Sequence, residues 1–209
     1  PAPAGSPTGN QCEIRAAHMA AATSQQQQAR DEGDRRLLAR VAAGDREAFR
    51  ELYIIYHRRL ARFLTRLTRQ YEIAEEIIND TLWVVWRKAG DFRGESRVST
   101  WIMGIAYRRA LKTLRARSRV LADAVPIENE PLVAPDELGA AETSEWILLA
   151  MQQLPTEQRL ALEFAYGYGH SCEEIALIMD CPVNTVKTRL FHGRAKLRAL
   201  LPGLAGAAQ

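Results

Sequence analysis

The stretch "SCEEIALIMDCPVNTVKTRLFHGRAKLR", residues 171–198, decides how the C-terminal third of this chain folds. Ser171 and Glu174 stand in the S-x-x-E spacing of a capping box: the serine hydroxyl accepts from the third helical N–H, and the carboxylate reaches back to the cap. Ile175, Ala176 and Met179 give the short helix that follows a single buried face. "DCP" then interrupts it. Cys181 falls at the expected cap of a second helix and Pro182 at its first position, where a missing N–H has no partner to lose. Two short helices joined by so tight a turn predict a helix-turn-helix.

Projected at 100° per residue, the second helix places Val186, Leu190, Gly193 and Leu197 on one side. Asn184, Lys187, Thr188 and Phe191 lie opposite, with Thr185, Arg189, His192 and Arg194 on the flanks. Amide, hydroxyl and cationic groups on an outward face suit the DNA major groove, where the first residues meet base edges and the rest hold phosphates. A solvated basic face is the plainer alternative. The preceding short helix, the turn and the outward Asn/Thr pair favour DNA.

Working outward, "TSEWILLAMQQL" and "PTEQRLALEFAY" continue the helical pattern upstream. Before them, "ADAVPIENEPLVAPDELGAAE" (122–142) carries six acidic residues, three prolines and no lysine or arginine. Prolines exclude a helix interior there and favour extended chain, so residues 119–142 read as an acidic linker, long enough to span roughly 80 Å when extended. From Asp34 to about Ser118 the apolar spacing is again three and four. Leu37, Leu38 and Val41 open it, and Phe49, Leu52, Tyr53, Tyr56, Leu60, Phe63, Leu64 and Leu67 follow behind Asp45 as N-cap. "IAEEIINDTLWVVWRKA" is a further helix stopped by Gly90, and Ser99 is placed to cap "TWIMGIAYRRALKTLRARSR". No segment alternates as a strand. The expectation is an all-α chain with two small helical domains, residues 31–118 and 143–203, joined by an extended acidic linker. Residues 1–30 read as a segment without order, in part a cloning-derived lead ending at His18-Met19, and 204–209 as a flexible tail.

With 209 residues and 47% apolar composition the chain has material for real cores. Its 28 basic and 25 acidic residues nearly cancel, but the signs are segregated along the chain. No apolar run reaches the length of a membrane span and no secretory leader is evident, which predicts a cytoplasmic protein without membrane insertion. Three irregularly spaced cysteines fit a reducing compartment. His170, Cys172, Cys181 and His192 match no zinc-binding spacing. With neither a metal-binding carboxylate cluster nor a paired nucleophile and base, no catalytic residue, metal or cofactor is expected, and the chain does not read as an enzyme.

"YRRALKTLRARSR" presents Arg108, Arg109, Lys112, Arg115, Arg117 and Arg119 without an acid among them. Such a run suits a phosphate backbone, each neutralised phosphate adding about −0.9 to the log-log salt slope. Trp101 and Tyr107 beside it suit stacking on an unpaired base, worth about 1–3 kcal/mol per base, although Trp101 equally suits the core. The helix before it is too apolar for one buried face. Ile73, Ile77, Thr81 and Val84 make a core stripe with Ile78 and Val85 beside it. That leaves Glu76, Asp80, Trp83 and Arg87 on another side and Trp86 on the margin, the composition of a protein interface.

"AEEIINDTLWVVWRKAGDFRGESRVSTWIMGIAYRRALKTLRAR" resembles region two of the sigma-70 family of bacterial transcription initiation factors, in the extracytoplasmic-function (ECF) group. "LPTEQRLALEFAYGYGHSCEEIALIMDCPVNTVKTRLFHGRAKLR" is similar to that family's region four. The resemblance implies a sigma factor without catalysis or cofactor, whose partners are core RNA polymerase (the clamp of the beta-prime subunit and the beta flap), promoter DNA and a dedicated anti-sigma factor. It implies that Asn79, Asp80, Trp83 and Trp86, with Glu76 and Arg87 beside them, face the clamp. Arg93, Ser96, Trp101, Tyr107, Arg108, Arg109, Lys112 and Arg115 would open and bind the minus-ten strand. Asn184, Thr185, Lys187, Thr188 and Arg189, with His192 and Arg194, would read the minus-thirty-five element. The chain departs from the family pattern at Arg108, where an asparagine is usual, at Val98, where a nearby aromatic is missing, and at Gly193, where an arginine is common. The competing reading is a free-standing helix-turn-helix regulator with a helical sensing or dimerisation domain.

Overall fold

The computed structural model describes residues 9–122 and 143–206; the acidic segment 123–142 and both chain ends lie outside the described residues. Eight α-helices make up the described part: α1 (Gly9–Ala42), α2 (Arg46–Thr68), α3 (Tyr71–Lys88), α4 (Val98–Ala122), α5 (Thr143–Gln152), α6 (Thr156–Leu162), α7 (Cys172–Met179) and α8 (Val183–Gly206). A 3-10 turn, Ala89–Asp91, follows α3, and α6 runs on into a π-helical turn, Glu163–Gly167. No strand occurs among the described residues.

Helices α1–α4 form the first bundle. On α2 the buried side chains Ala48, Leu52, Tyr56, Leu60, Phe63, Leu64 and Leu67 follow the three-four spacing that the sequence displays. Asp45 caps this helix, its Oδ1 accepting from the N–H groups of Glu47 (2.9 Å) and Ala48 (3.0 Å). At the other end Arg69 turns into the left-handed region (φ 58°), and its N–H closes the helix on the carbonyl of Thr65. On α3, Ile73, Ala74, Ile77, Ile78, Thr81, Leu82 and Val85 are buried, while Val84 of the expected stripe is half-buried. One polar pair sits inside the bundle, where the Tyr56 hydroxyl donates to Asp34 at 2.6 Å. Burial pushes the Asp34 carboxyl up, against the opposing pull of that hydroxyl and of Arg59.

Helix α4 is buried over much of its first half: every residue from Ile102 to Tyr107 is buried. A helix apolar all round must be covered all round. Here α1, α2 and α3 cover one side and α7 of the C-terminal domain covers the other. The second domain is built from α5, α6, α7 and α8, with Leu160, Ala161, Leu162, Ile175, Ile178, Val186 and Leu190 at its centre.

Three expectations need correction. Residues 9–30, read as lacking order, lie in the first half of α1, which reaches back to Gly9. The stretch lacks apolar periodicity, yet its alanines and glutamines are strong helix formers. Ser99 does not cap α4; the N–H of Val98 is taken by Asp31 Oδ1 of α1 at 2.9 Å, a cap supplied from another helix. The last helix runs past Pro202 to Gly206, into the segment 204–209 that reads as a flexible tail. A proline so near a helix end loses one backbone hydrogen bond without ending the helix.

Candidate nucleic-acid interface

The helix-turn-helix is α7, its turn and α8. Ser171 Oγ accepts from the Glu174 N–H (3.2 Å) and Glu174 Oε2 accepts from the Ser171 N–H (2.9 Å), completing the capping box. Asp180 makes the turn in the left-handed region (φ 51°). Helix α8 starts at Val183, one residue beyond the expected first position, and the Pro182 carbonyl accepts from the Thr185 and Val186 N–H groups. Val186, Leu190 and Gly193 face inward.

Asn184, Lys187, Thr188, Phe191, His192 and Arg194 stand exposed on α8, so the outward face has the expected composition. Thr188 donates to the Asn184 carbonyl at 2.9 Å, and the Phe191 and His192 rings lie edge to face at 5.4 Å. Arg189 is held differently from its neighbours. It pairs with Glu157 of α6 and donates to Cys181 Sγ at 3.2 Å, which links the turn and α8 to α6. Thr185 is half-buried. Cys172 and Cys181 are free thiols, and among the described residues no three His, Cys, Asp or Glu side chains converge on one point.

On α3, Glu76, Asn79, Asp80, Trp83 and Arg87 share an exposed face, and Trp83 is 58% exposed despite its apolar ring. Asn79 Oδ1 accepts from the Tyr53 hydroxyl at 3.3 Å, which brings an α2 aromatic to that face. Trp86 is half-buried with its ring 5.0 Å from Phe49, the marginal position expected of it.

Arg108, Lys112 and Arg115 form an exposed basic edge on α4. Arg109 beside them pairs with Asp80, so the basic edge and the Trp83 face are physically joined. Trp101 is half-buried, tilted against Phe92 at 5.4 Å, and has both surroundings considered for it. Tyr107 is placed otherwise than a base-stacking ring. It is 4% exposed and meets Phe164 of the second domain edge to face at 6.4 Å. Arg93 and Ser96 lie in the loop before α4, Arg93 exposed and Ser96 half-buried.

The same loop carries residues that the sequence reading missed. Arg97 pairs bidentately with Glu174 of α7 and also donates to the Gly169 carbonyl at 3.1 Å. Thr100 Oγ1 donates to Glu174 at 2.8 Å, and the buried His170 ring lies 3.7 Å from the same carboxylate. Burial opposes ionisation of Glu174, but the hydrogen bonds from His170, Arg97, Ser171 and Thr100 outweigh it and hold the carboxyl far below the usual carboxylate range. Elsewhere on the domain contact, Arg66 Nη1 reaches Glu163 at 3.2 Å, while burial pushes the Glu163 carboxyl up. Phe164 is wholly buried there, with Phe63 of α2 at 5.1 Å and Tyr168 at 6.2 Å.

Known proteins share this arrangement. Residues 52–120 match the family model described as Sigma-70 region 2, and residues 144–197 match Sigma-70, region 4. The RNA polymerase sigma-H factor of Pseudomonas aeruginosa is 33% identical over 184 residues, covering 82% of this chain and 95% of that protein. The ECF RNA polymerase sigma factor SigM of Mycobacterium tuberculosis (strain H37Rv) is 34% identical, over 82% of this chain and 86% of its own. Among solved structures, the sigma factor RpoE of Bartonella quintana, crystallised with the anti-sigma factor NepR, superposes with a TM-score of 0.63 at 27% identity. That match covers 74% of this chain and 96% of the other.

Proposed function

This chain belongs to the ECF group of the sigma-70 family, and we propose that it works as a promoter-specificity subunit: it binds core RNA polymerase and directs initiation at a particular class of promoter. The observation that carries this reading is the presence of both family regions, in order, in one chain whose relatives match it over nearly their full length. Sigma factors are initiation factors rather than catalysts, and the free-standing regulator is not favoured. The polymerase it serves works in the cytoplasm, which is where the protein belongs.

The labour divides by surface. The exposed face of α3, with Glu76, Asn79, Asp80, Trp83 and Arg87 and with Trp86 at its edge, meets the beta-prime clamp. A large aromatic ringed by charged groups and left open to solvent is what a binding hot spot looks like before its partner arrives. The loop before α4 and the edge of Arg108, Lys112 and Arg115 hold the minus-ten strand. Flipping a base costs a few kcal/mol, so phosphate contacts and a ring such as Trp101 are needed to retain the strand. The outward face of α8 reads the minus-thirty-five element, Asn184, Lys187 and Thr188 at base edges and His192 and Arg194 at phosphates. Arg189, anchored to Glu157, serves there by presenting a fixed guanidinium.

The linker beyond Arg119, residues 120–142, is acidic with no lysine or arginine and suits the basic nucleic-acid channel of polymerase more than DNA. An anti-sigma partner follows from the same surfaces; the similar RpoE was crystallised with one.

The test is reconstitution. Core polymerase with this protein should start transcription at defined promoters selected from a random library, while the protein alone gives no tight duplex shift. Tight binding to paired half-sites without polymerase, together with no promoter-specific transcript, would establish the regulator instead.

A further inference from the structure

The loop from Phe92 to Arg97 is held by two residues of α1 that lie one helical turn apart and that no DNA-facing surface includes. Arg35 Nη2 donates to the Ser96 carbonyl at 2.8 Å and to the Gly94 carbonyl at 3.4 Å. Its guanidinium also lies 5.5 Å from the centre of the Phe92 ring. Arg35 Nε donates to Asp31 Oδ2 at 2.7 Å, which fixes the fork, and Asp31 Oδ1 takes the Val98 N–H at 2.9 Å. Phe92, Gly94, Ser96 and Val98 are thus gripped in alternation. Arg93 and Glu95 between them are exposed.

Apart from the Phe92 ring, this grip acts on backbone groups, so it sets the course of the loop without depending on its outward side chains. Gly94 shows how close it is. Gly94 has φ +76°, and a Cβ there would lie 2.9 Å from Arg35 Nη1. A non-glycine residue would meet both the left-handed backbone and the arginine.

We infer that Asp31 and Arg35 are positioning residues for minus-ten recognition: α1 holds the 92–97 loop in the one path that aims Arg93 and Glu95 at the opened strand, although neither Asp31 nor Arg35 touches DNA. This rests on the strand-binding role proposed above for that loop. Side chains that discriminate bases must be held to a fraction of an ångström, and residues behind them supply that constraint.

The experiment uses holoenzyme reconstituted from the full chain and core polymerase, on promoters with a fixed minus-thirty-five element and a randomised minus-ten element. Arg35→Ala should flatten the minus-ten base preferences by about tenfold, the scale of one well-made polar base contact. Holoenzyme affinity and minus-thirty-five selection should stay as in the wild type. Arg35→Lys should recover only part of the loss, because an ammonium cannot reproduce the fork. Gly94→Ala approaches the same contact from the loop and should flatten the same positions, and the double variant should be no worse than either single one. Wild-type minus-ten preferences in both Arg35→Ala and Gly94→Ala would overturn the inference, as would equal losses at both elements. A wild-type holoenzyme without any minus-ten preference would remove the strand-binding reading itself, a different failure.

Discussion

Glu174 has one carboxylate and two allegiances. Through the Ser171 N–H it caps α7, and through Arg97 and Thr100 it binds the loop and helix of the other domain. The sequence reading found the first role from local spacing. The second depends on residues more than seventy positions away, which no spacing rule reaches. The consequence is measurable against pH. The folded carboxyl ionises far below its ordinary value of 4.5, so its contribution to stability is fully present above that value and is lost progressively as pH falls beneath it. In Glu174→Gln the stability deficit relative to wild type, measured by urea unfolding, should be constant above about pH 5.5 and shrink steadily below pH 4.5. Tyr107 teaches the complementary lesson. Periodicity identifies α4, but it is the nearness of Tyr107 to the basic run that suggests base stacking, and nearness in sequence says nothing of the Phe164 ring that covers it.

Within elements, the legible features were those written in local chemistry: Asp45 as a cap, Ser171 and Glu174 as a box, the inward set of α8. Gly193 illustrates how far that reaches. Projection put it with Val186 and Leu190, and it is buried with them. What projection cannot supply is the neighbour: a Cβ on Gly193 would lie 2.9 Å from Leu162 Cδ1 and 3.6 Å from Gln158 Cβ of α6. Two effects then compete in Gly193→Ala. Helix propensity favours alanine by about 1 kcal/mol, while forcing a methyl into a packed contact costs about 1–3 kcal/mol. Leu162 is itself 3% exposed and has little room to swing aside, so the contact should win. Thermal unfolding of Gly193→Ala should show a net loss of about 1 kcal/mol; a stabilised variant would mean that α6 yields easily. The cap of α4 was illegible for the opposite reason, since Asp31 reaches it from a helix whose start the composition concealed.

At the scale of the molecule, the two domains meet around Phe164, which is wholly buried among Phe63, Tyr107, Tyr168 and His170. Helical periodicity broken by the acidic linker predicts two cores and gives no sign that they are continuous. Phe164→Ala should cost about 3–5 kcal/mol if the site cannot collapse. Because the ring belongs to the contact between domains as well as to its own, the variant should expand in solution scattering while keeping its helical circular dichroism. An unchanged radius of gyration would place the strength of the contact in the pairs Arg66–Glu163 and Arg97–Glu174 instead.

That closed contact is joined by residues 123–142, and a covalent tie of this length presents each domain to the other at an effective concentration on the order of millimolar. Dilution therefore never opens the molecule. A competitor does so only by offering one of the two faces more free energy than its neighbour returns on rebinding, and the apparent affinity of every external ligand of those faces is lowered by the fraction of time the pair stays shut.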